Sequence, residues 1–332
     1  MFGILLLLDA HNERPRKTDT AAGGLRTLLT RRQLLKAGGA LALVTPFSGF
    51  ATIAQSREEE PIFRFGVVAD PQYAPIAPVR TRYYSASLSK LSEAIATFNR
   101  EKLEFVVTLG DIIDRDWGSY AHILPLYKQL EHPNFFLLGN HDFSVASDYL
   151  GGILQTVGLQ RAYYDFVGGG HRFIVIDGNE ISLFANAEGS ENYAAAEKRI
   201  ADLKAAGLGH AHPWNGGISD RQFAWVEETM NKARAAGERV IVMGHYPIYP
   251  VNYHNLWDDA RLVDLLTSYD NFLLYINGHN HAGNFGALDR KYFVNFKGMV
   301  ETQDTTAYSI VEIYHGRIEI RAFGAEEQRS LL

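Results

Sequence analysis

Short apolar runs rich in Val, Ile and Phe recur along the chain at Phe63–Val68, Phe105–Leu109, Phe135–Leu138, Arg239–Met243 and Phe272–Ile276. Longer stretches with apolar residues at helical spacing separate them, and the alternation predicts strands covered by helices, an α/β arrangement. Helices are expected over Arg82–Arg100, Ala194–Ala206, Ser219–Ala236 and Asp258–Ser268. Ser219 and Gln222 form a capping box that satisfies free N–H groups and sets the start of the third. Two hairpins interrupt the alternation, Tyr163–Ile176 around Gly168-Gly169-Gly170 and Ala307–Phe323 around His315-Gly316, so the sheet is expected to be mixed.

Ahead of the first strand, Thr30-Arg31-Arg32-Gln33-Leu34-Leu35-Lys36 sets paired arginines before a short apolar stretch, Ala37–Val44. At ~1.5 Å per residue that stretch cannot span a bilayer, so no stable membrane anchor is expected. The pattern is that of a twin-arginine signal, which implies a handover to the twin-arginine translocation machinery and a periplasmic or extracellular destination. Small residues around Thr52-Ile53-Ala54 supply a cleavage point before Gln55. The chain thus divides into a leader over residues 1–54 and one domain over 55–332, with the polar stretch near 178–217 read as a helical insertion.

Each of the strands ends in a polar cluster: Asp70-Pro71-Gln72, Gly110-Asp111, Gly139-Asn140-His141-Asp142, Gly244-His245 and Gly278-His279-Asn280-His281. Chemistry in α/β sheets gathers beyond the carboxyl ends of strands, so these clusters are candidates to share one rim. Composition narrows their chemistry. A chain with no cysteine has no disulfide, no thiolate metal site and no cysteine nucleophile, which leaves His, Asp, Asn and Gln as ligands. A formal net charge of −6 without a basic stripe argues against a nucleic-acid partner, so an anionic substrate must be held locally.

A two-metal hydrolase needs oxygen and nitrogen ligands from several strands, a carboxylate shared by both ions and an acid for the leaving group. Asp111, after a strand and a glycine, is placed to be the shared carboxylate. Asp70 and Gln72 alternate on what reads as an extended segment, which would point both side chains the same way. His279 and His281 have the same spacing, and Asn140 and His245 complete the set. Singly, each of these residues has an ordinary explanation as a turn or core residue. In this order, all at strand ends, they point together to metal-dependent hydrolysis.

The series D-x-Q, G-D, G-N-H-D, G-H and G-H-x-H resembles the calcineurin-like metallophosphoesterases, over a span from about Phe63 to Phe323. That resemblance implies two mixed β-sheets packed as a sandwich flanked by helices. It also implies that Asp70, Gln72, Asp111 and His281 hold one divalent ion, and Asp111, Asn140, His245 and His279 the other. His141 would then protonate the departing oxygen, with Asp142 fixing its orientation.

Gln72 stands where most of the class has histidine. A neutral amide oxygen is a harder and weaker donor than imidazole, which favours Mn²⁺, with iron or zinc as alternatives. The substitution is similar to the manganese-dependent ADP-ribose/CDP-alcohol diphosphatases, as are Arg82-Tyr83-Tyr84 and Asn215-Gly216-Gly217. The expected substrate is then a small phosphorylated molecule, a nucleoside diphosphate derivative such as ADP-ribose or a CDP-alcohol. Arg82 would grip the phosphate that the metals do not reach. The alternative on the same metals is a phosphomonoesterase or cyclic-nucleotide phosphodiesterase. One departure concerns the nucleobase: the subfamily's stacking phenylalanine falls at Ile76. His210-Ala211-His212 reads as a surface loop without nearby carboxylates, and Tyr246, Tyr249, Tyr253 and Trp257 are candidate walls of the cleft.

Overall fold

A computed structural model describes residues 59–332; the expected twin-arginine signal and cleavage point lie outside the described residues. The chain runs β1 (Phe63–Val68), α1 (Ser87–Phe98), β2 (Phe105–Leu109), α2 (Ser119–Tyr127), β3 (Asn134–Leu137) and α3 (Ile153–Thr156). It continues through the hairpin β4 (Tyr164–Gly168) and β5 (His171–Val175), then α4 (Glu191–Ala205), α5 (Asp220–Ala235), β6 (Arg239–Met243), α6 (Asp259–Thr267) and β7 (Phe272–Asn277). The last elements are β8 (Asn284–Leu288), β9 (Lys291–Asn295), β10 (Ala307–Ile313), β11 (Ile318–Gly324) and β12 (Arg329–Leu331).

The strands form two six-stranded mixed sheets, β12-β11-β10-β1-β2-β3 and β4-β5-β6-β7-β9-β8. Within the first, β1, β2 and β3 are parallel; within the second, β5, β6, β7 and β9 are parallel. The central strands are buried on both faces, which is why they read as unbroken apolar runs. Between the sheets lie Phe65, Val107, Leu109, Phe173, Val175, Ile241, Met243, Ile276 and Val294. Phe135 and Phe166 stack there with centroids 4.0 Å apart and ring planes 5° from parallel. The outer face of the first sheet is covered by α1 and α2 through Leu91, Ile95, Phe98 and Ile123. That of the second is covered by α5 and α6 through Val226, Met230, Leu262 and Leu266. The stretch that carries α4 packs Ile200 and Leu203 against Ile181 and Trp257, and a backbone bridge between Ile181 and Gly217 ties its base.

One expected boundary and one expected cap differ for identifiable reasons. The helix expected from Arg82 begins at Ser87, because Arg82 exchanges backbone hydrogen bonds with Val79 and pairs with Glu301 while Tyr83 N–H donates to Val300 O. Ser219 does cap α5, accepting from Gln222 N–H at 3.1 Å, but Gln222 does not return the bond. Glu180 does so instead, accepting from Ser219 N–H at 2.9 Å, and the Gln222 side chain binds Asp177 and Glu180.

Candidate metal centre

Because both sheets run their parallel strands toward the same rim, the turns after β1, β2 and β3 face those after β6 and β7. The segment Asp70-Pro71-Gln72 is not extended, as its sequence suggests: Asp70 and Gln72 both take left-handed backbone angles, φ 49° and 43°. The chain is held there by Gln72 N–H donating to Asp111 O at 2.7 Å and by His279 N–H donating to the Asp70 carboxylate at 3.0 Å. Asp111 and His279 are left-handed as well, at 52° and 67°. Strained backbone of this kind concentrates where geometry is dictated by function.

Two groups of ligand atoms result, each within 4.8 Å, one of Asp111, His245 and His279 and the other of Asp70, Asp111 and His281. Gln72 joins the second, its amide nitrogen 2.8 Å from Asp111 Oδ2 and 3.1 Å from His281 Nε2. Asn140 Oδ1 joins the first, 3.2 Å from His245 Nε2. Every residue expected to ligate is therefore here, and Asp111 belongs to both groups. The glycines preceding them are spatial requirements. A Cβ on Gly139 would stand 2.2 Å from Asp111 Oδ1, and one on Gly278 would stand 2.4 Å from Asp70 Oδ2.

The histidine tautomers are fixed from outside. His245 Nδ1–H donates to Leu109 O at 2.7 Å, His279 Nε2–H to Asn215 Oδ1 at 2.9 Å, and His281 Nδ1–H to Glu301 Oε1 at 2.7 Å. Each bond turns the inner ring nitrogen toward the cluster, where it can ligate a metal once any proton on it is displaced, the arrangement of metal-binding histidines. Asn215 is in turn fixed, its amide nitrogen donating to His210 O and Tyr253 O. Glu301 and Asn215 escaped the sequence reading as outer partners, although Asn215 lies in the Asn-Gly-Gly run noted there.

The charges also call for a cation. Burial would lower the His245 pKa, but Asp111 outweighs it and pushes His245 up to about 9. Burial pushes Asp70 up to about 6, with His281 and His245 opposing. Two buried carboxylates among three imidazoles thus share protons where a metal would neutralise them. Gln72 Oε1 is buried and has no hydrogen-bond partner. Half a turn about the last side-chain bond sends that oxygen into the Asp70, Asp111 and His281 group, where it completes an oxygen-rich donor set. The residues fit divalent ions.

His141 lines the cavity beside the cluster, its backbone N–H donating to Asp111 Oδ1 at 2.8 Å. Asp142 does not orient it. That carboxylate is buried and accepts from Ile112 N–H, Tyr120 O–H and Gly139 N–H, bracing the loops after β2 and β3. The group beside the His141 ring is Asp114, whose Oδ1 lies 3.0 Å from Nδ1. Burial opposes a charged His141, but Asp111 and Asp114 prevail and raise its pKa. Arg82 Nη1 sits 3.4 Å from His141 Nε2.

The cavity of about 260 Å³ over the cluster is lined by Arg82, His141, Trp214 and His254 besides the proposed ligands. A cleft of about 570 Å³ adjoins it, with Arg80, Arg82, Arg115 and His254 in its wall. Of the aromatics proposed as walls, none lines either space. Tyr246 is buried against His245 and His279, Tyr249 packs on Phe293, Trp257 lies in the α4 cluster and Tyr253 is exposed. His210 and His212 do not converge: His210 is buried 3.7 Å from Asp259, a carboxylate supplied by α6, and His212 stacks on Trp214. Ile76 packs inward against Ala74, Tyr84 and Val300.

Among the described residues, a dozen strands in two mixed sheets, with Asp, Asn and His donors at their shared rim, fit a metal-dependent phosphoesterase. The chain matches the calcineurin-like phosphoesterase family over residues 63–283 and belongs to it. It is a hydrolase of phosphate ester or anhydride bonds that depends on divalent metal. Among its relatives, the manganese-dependent ADP-ribose/CDP-alcohol diphosphatase of Arabidopsis thaliana is 27% identical over 303 residues, which cover 80% of this chain and 95% of the relative. The human diphosphatase of the same description is also 27% identical, over 83% of this chain and 94% of its own length. In fold, a dimetal phosphatase from Danio rerio superposes with a TM-score of 0.73 at 23% identity, covering 82% of this chain and 99% of the other. Among the described residues no helix is long and apolar enough to cross a membrane.

Proposed function

We propose that the chain holds two divalent ions, Mn²⁺ by preference, and hydrolyses the phosphoanhydride of a nucleoside diphosphate derivative such as ADP-ribose or a CDP-alcohol. One ion would be held by Asp70, Gln72, Asp111 and His281 and the other by Asp111, Asn140, His245 and His279. When bound, such ions neutralise the phosphate under attack and activate water. The preference for Mn²⁺ rests on Gln72, which gives the first site a hard, neutral oxygen where imidazole would suit softer ions.

The observation that carries the diphosphate reading is the arginine-lined cleft that continues from the metal cavity. A phosphomonoester is neutralised by the ions alone, whereas a diphosphate has a second charged group that needs its own cation. Arg82 stands at the junction of the two spaces, and its planar fork suits a phosphate. In the free protein its Nη1 faces His141 Nε2. A phosphate entering there takes that donor and leaves Nε2 to carry a proton toward the departing oxygen, while Asp114 steadies Nδ1. Export by the twin-arginine route, which carries folded proteins, would let Mn²⁺ be loaded before the enzyme meets competing Cu²⁺ and Zn²⁺.

The test compares kcat/KM for ADP-ribose and for an aryl phosphate in the wild type and in Arg82→Ala, with Mn²⁺. The diphosphate should lose ~1.5 to 3 kcal/mol of transition-state stabilisation, the range for a charged hydrogen bond, and the monoester little. Equal losses would make Arg82 structural and favour a phosphomonoesterase or cyclic-nucleotide phosphodiesterase.

A further inference from the structure

Lys90 is buried on the inner face of α1, and its ammonium group faces backbone. Nζ donates to Met299 O at 2.9 Å, Glu301 O at 2.6 Å and Thr302 O at 2.6 Å, with Val300 O at 3.4 Å. No carboxylate lies within ion-pair distance of it among the described residues. A lysine held this way is a cation in a cup of carbonyl oxygens, the coordination that proteins otherwise offer to a potassium ion. Burial lowers its pKa to about 8, against the pull of Glu301, and it stays mostly charged near neutrality.

The other side of this four-residue loop serves the metal centre. Met299 N–H donates to Ala69 O at 2.8 Å and Val300 N–H to Asp70 O at 3.0 Å, which fixes the left-handed turn at Asp70. The Glu301 carboxylate accepts from His281 Nδ1–H, and its backbone bridges to Arg82. Two members of the proposed site, Asp70 and His281, thus lean on one loop, as does Arg82 beside it. The rings of His245 and His279 are oriented elsewhere, by Leu109 O and Asn215.

We propose that Lys90 is a tethered monovalent cation that holds the Met299–Thr302 carbonyl cup and so positions Glu301, His281 and Asp70 for one of the two ions. The inference rests on the two-ion reading above. Lys90 touches neither substrate nor metal and is a positioning residue. Without its charge, four converging carbonyl dipoles, two of them buried, face one another unneutralised; the loop relaxes, Glu301 withdraws from His281, and one site loosens while the rings of the other keep their partners.

The experiment counts Mn²⁺ bound to the metal-depleted full chain by the resonance signal of the free ion. Wild type is measured first, and fewer than two bound ions there would be a failure of the two-ion reading, not of the role of Lys90. With two bound, Lys90→Met should keep one at wild-type affinity and weaken the other ~10- to 100-fold, the usual cost of disturbing an outer partner. Lys90→Ala empties the cup, and K⁺ or NH₄⁺ should restore the weak site where tetramethylammonium at equal ionic strength does not. Should Lys90→Met fail to fold, Lys90→Gln leaves a donor for the carbonyls but no charge, and should show the same one-sided loss. Unchanged affinity for both ions, or equal weakening of both, would overturn the proposal.

Discussion

The two sheets bring different chemistry to their common rim. Every oxygen donor of the proposed site, Asp70, Gln72, Asp111 and Asn140, follows a strand of the first sheet, while all three histidines follow β6 or β7 of the second. The first sheet reaches its positions mainly through strained turns, with Asp70, Gln72 and Asp111 left-handed, against His279 alone among the three histidines. The second fixes rings through hydrogen bonds on their outer nitrogens. The lesson is that neither sheet owns a site: each ion would join oxygen from one layer to nitrogen from the other, and the sandwich is what sets their spacing.

Asp111 is the strongest point at which to break this division, since it is the one carboxylate in both ligand groups. Asp111→Asn should lower kcat at least ~10³-fold, the scale of losing a charge-stabilising group, with folding retained by circular dichroism. Near-wild-type turnover in a metal-replete variant would mean that the two layers act independently. Next in size is His141→Ala, which should slow cleavage ~10²- to 10³-fold without releasing metal, and least for substrates with good leaving groups. Asp114→Asn should reproduce part of that loss, whereas Asp142→Asn should appear mainly as a lower melting temperature, because its carboxylate braces backbone. A rate loss in Asp142→Asn without destabilisation would restore Asp142 as the partner of His141.

Acidity sharpens the nitrogen side. The His245 pKa, raised to about 9 in the metal-free protein, lies above its unfolded value. The contribution of that proton to metal-free stability is therefore complete below about pH 6.5 and lost as pH rises through about 9. A metal must displace it, so Mn²⁺ affinity should fall ~10-fold per unit as pH drops below 9, with about one proton released per protein. Titration calorimetry in buffers of different ionisation heat measures this, and no proton release at pH 7 would sink it. The smallest effect probes the oxygen side: Gln72→His should raise the preference for Zn²⁺ over Mn²⁺ by ~10-fold or less in competition binding, and an unchanged ratio would mean Gln72 is no ligand.

The central strands were legible because burial on both faces makes them apolar throughout and because glycines must follow where donors crowd, as at Gly139 and Gly278. The hairpin of β8 and β9 was not. Its two-residue turn, Asp289-Arg290, is left-handed at 50° and 69° without glycine or asparagine to announce it. Helix α2 was hidden by Pro125, which sits inside it and removes an N–H donor. Asp114 was missed for a different reason. Adjacency in sequence favoured Asp142 as the partner of His141, but the backbone N–H groups around Asp142 had already claimed its oxygens.

The contact between Asn215 and His279 ties the working life of the enzyme to a chemically fragile bond. Asparagine followed by glycine is the pair most prone to lose its side-chain nitrogen, as the next backbone nitrogen closes a ring on it, and residues 215 and 216 are such a pair. Here the departing nitrogen is tied to two carbonyls and the residue is buried, so ring closure demands local opening. Ageing should therefore track unfolding: stored with Mn²⁺ the chain should keep Asn215 intact, and stored with chelator it should accumulate the mass gain of deamidation at that peptide together with a loss of metal affinity. Equal rates of damage in the two samples would show that opening of this loop is independent of the ions it helps to hold.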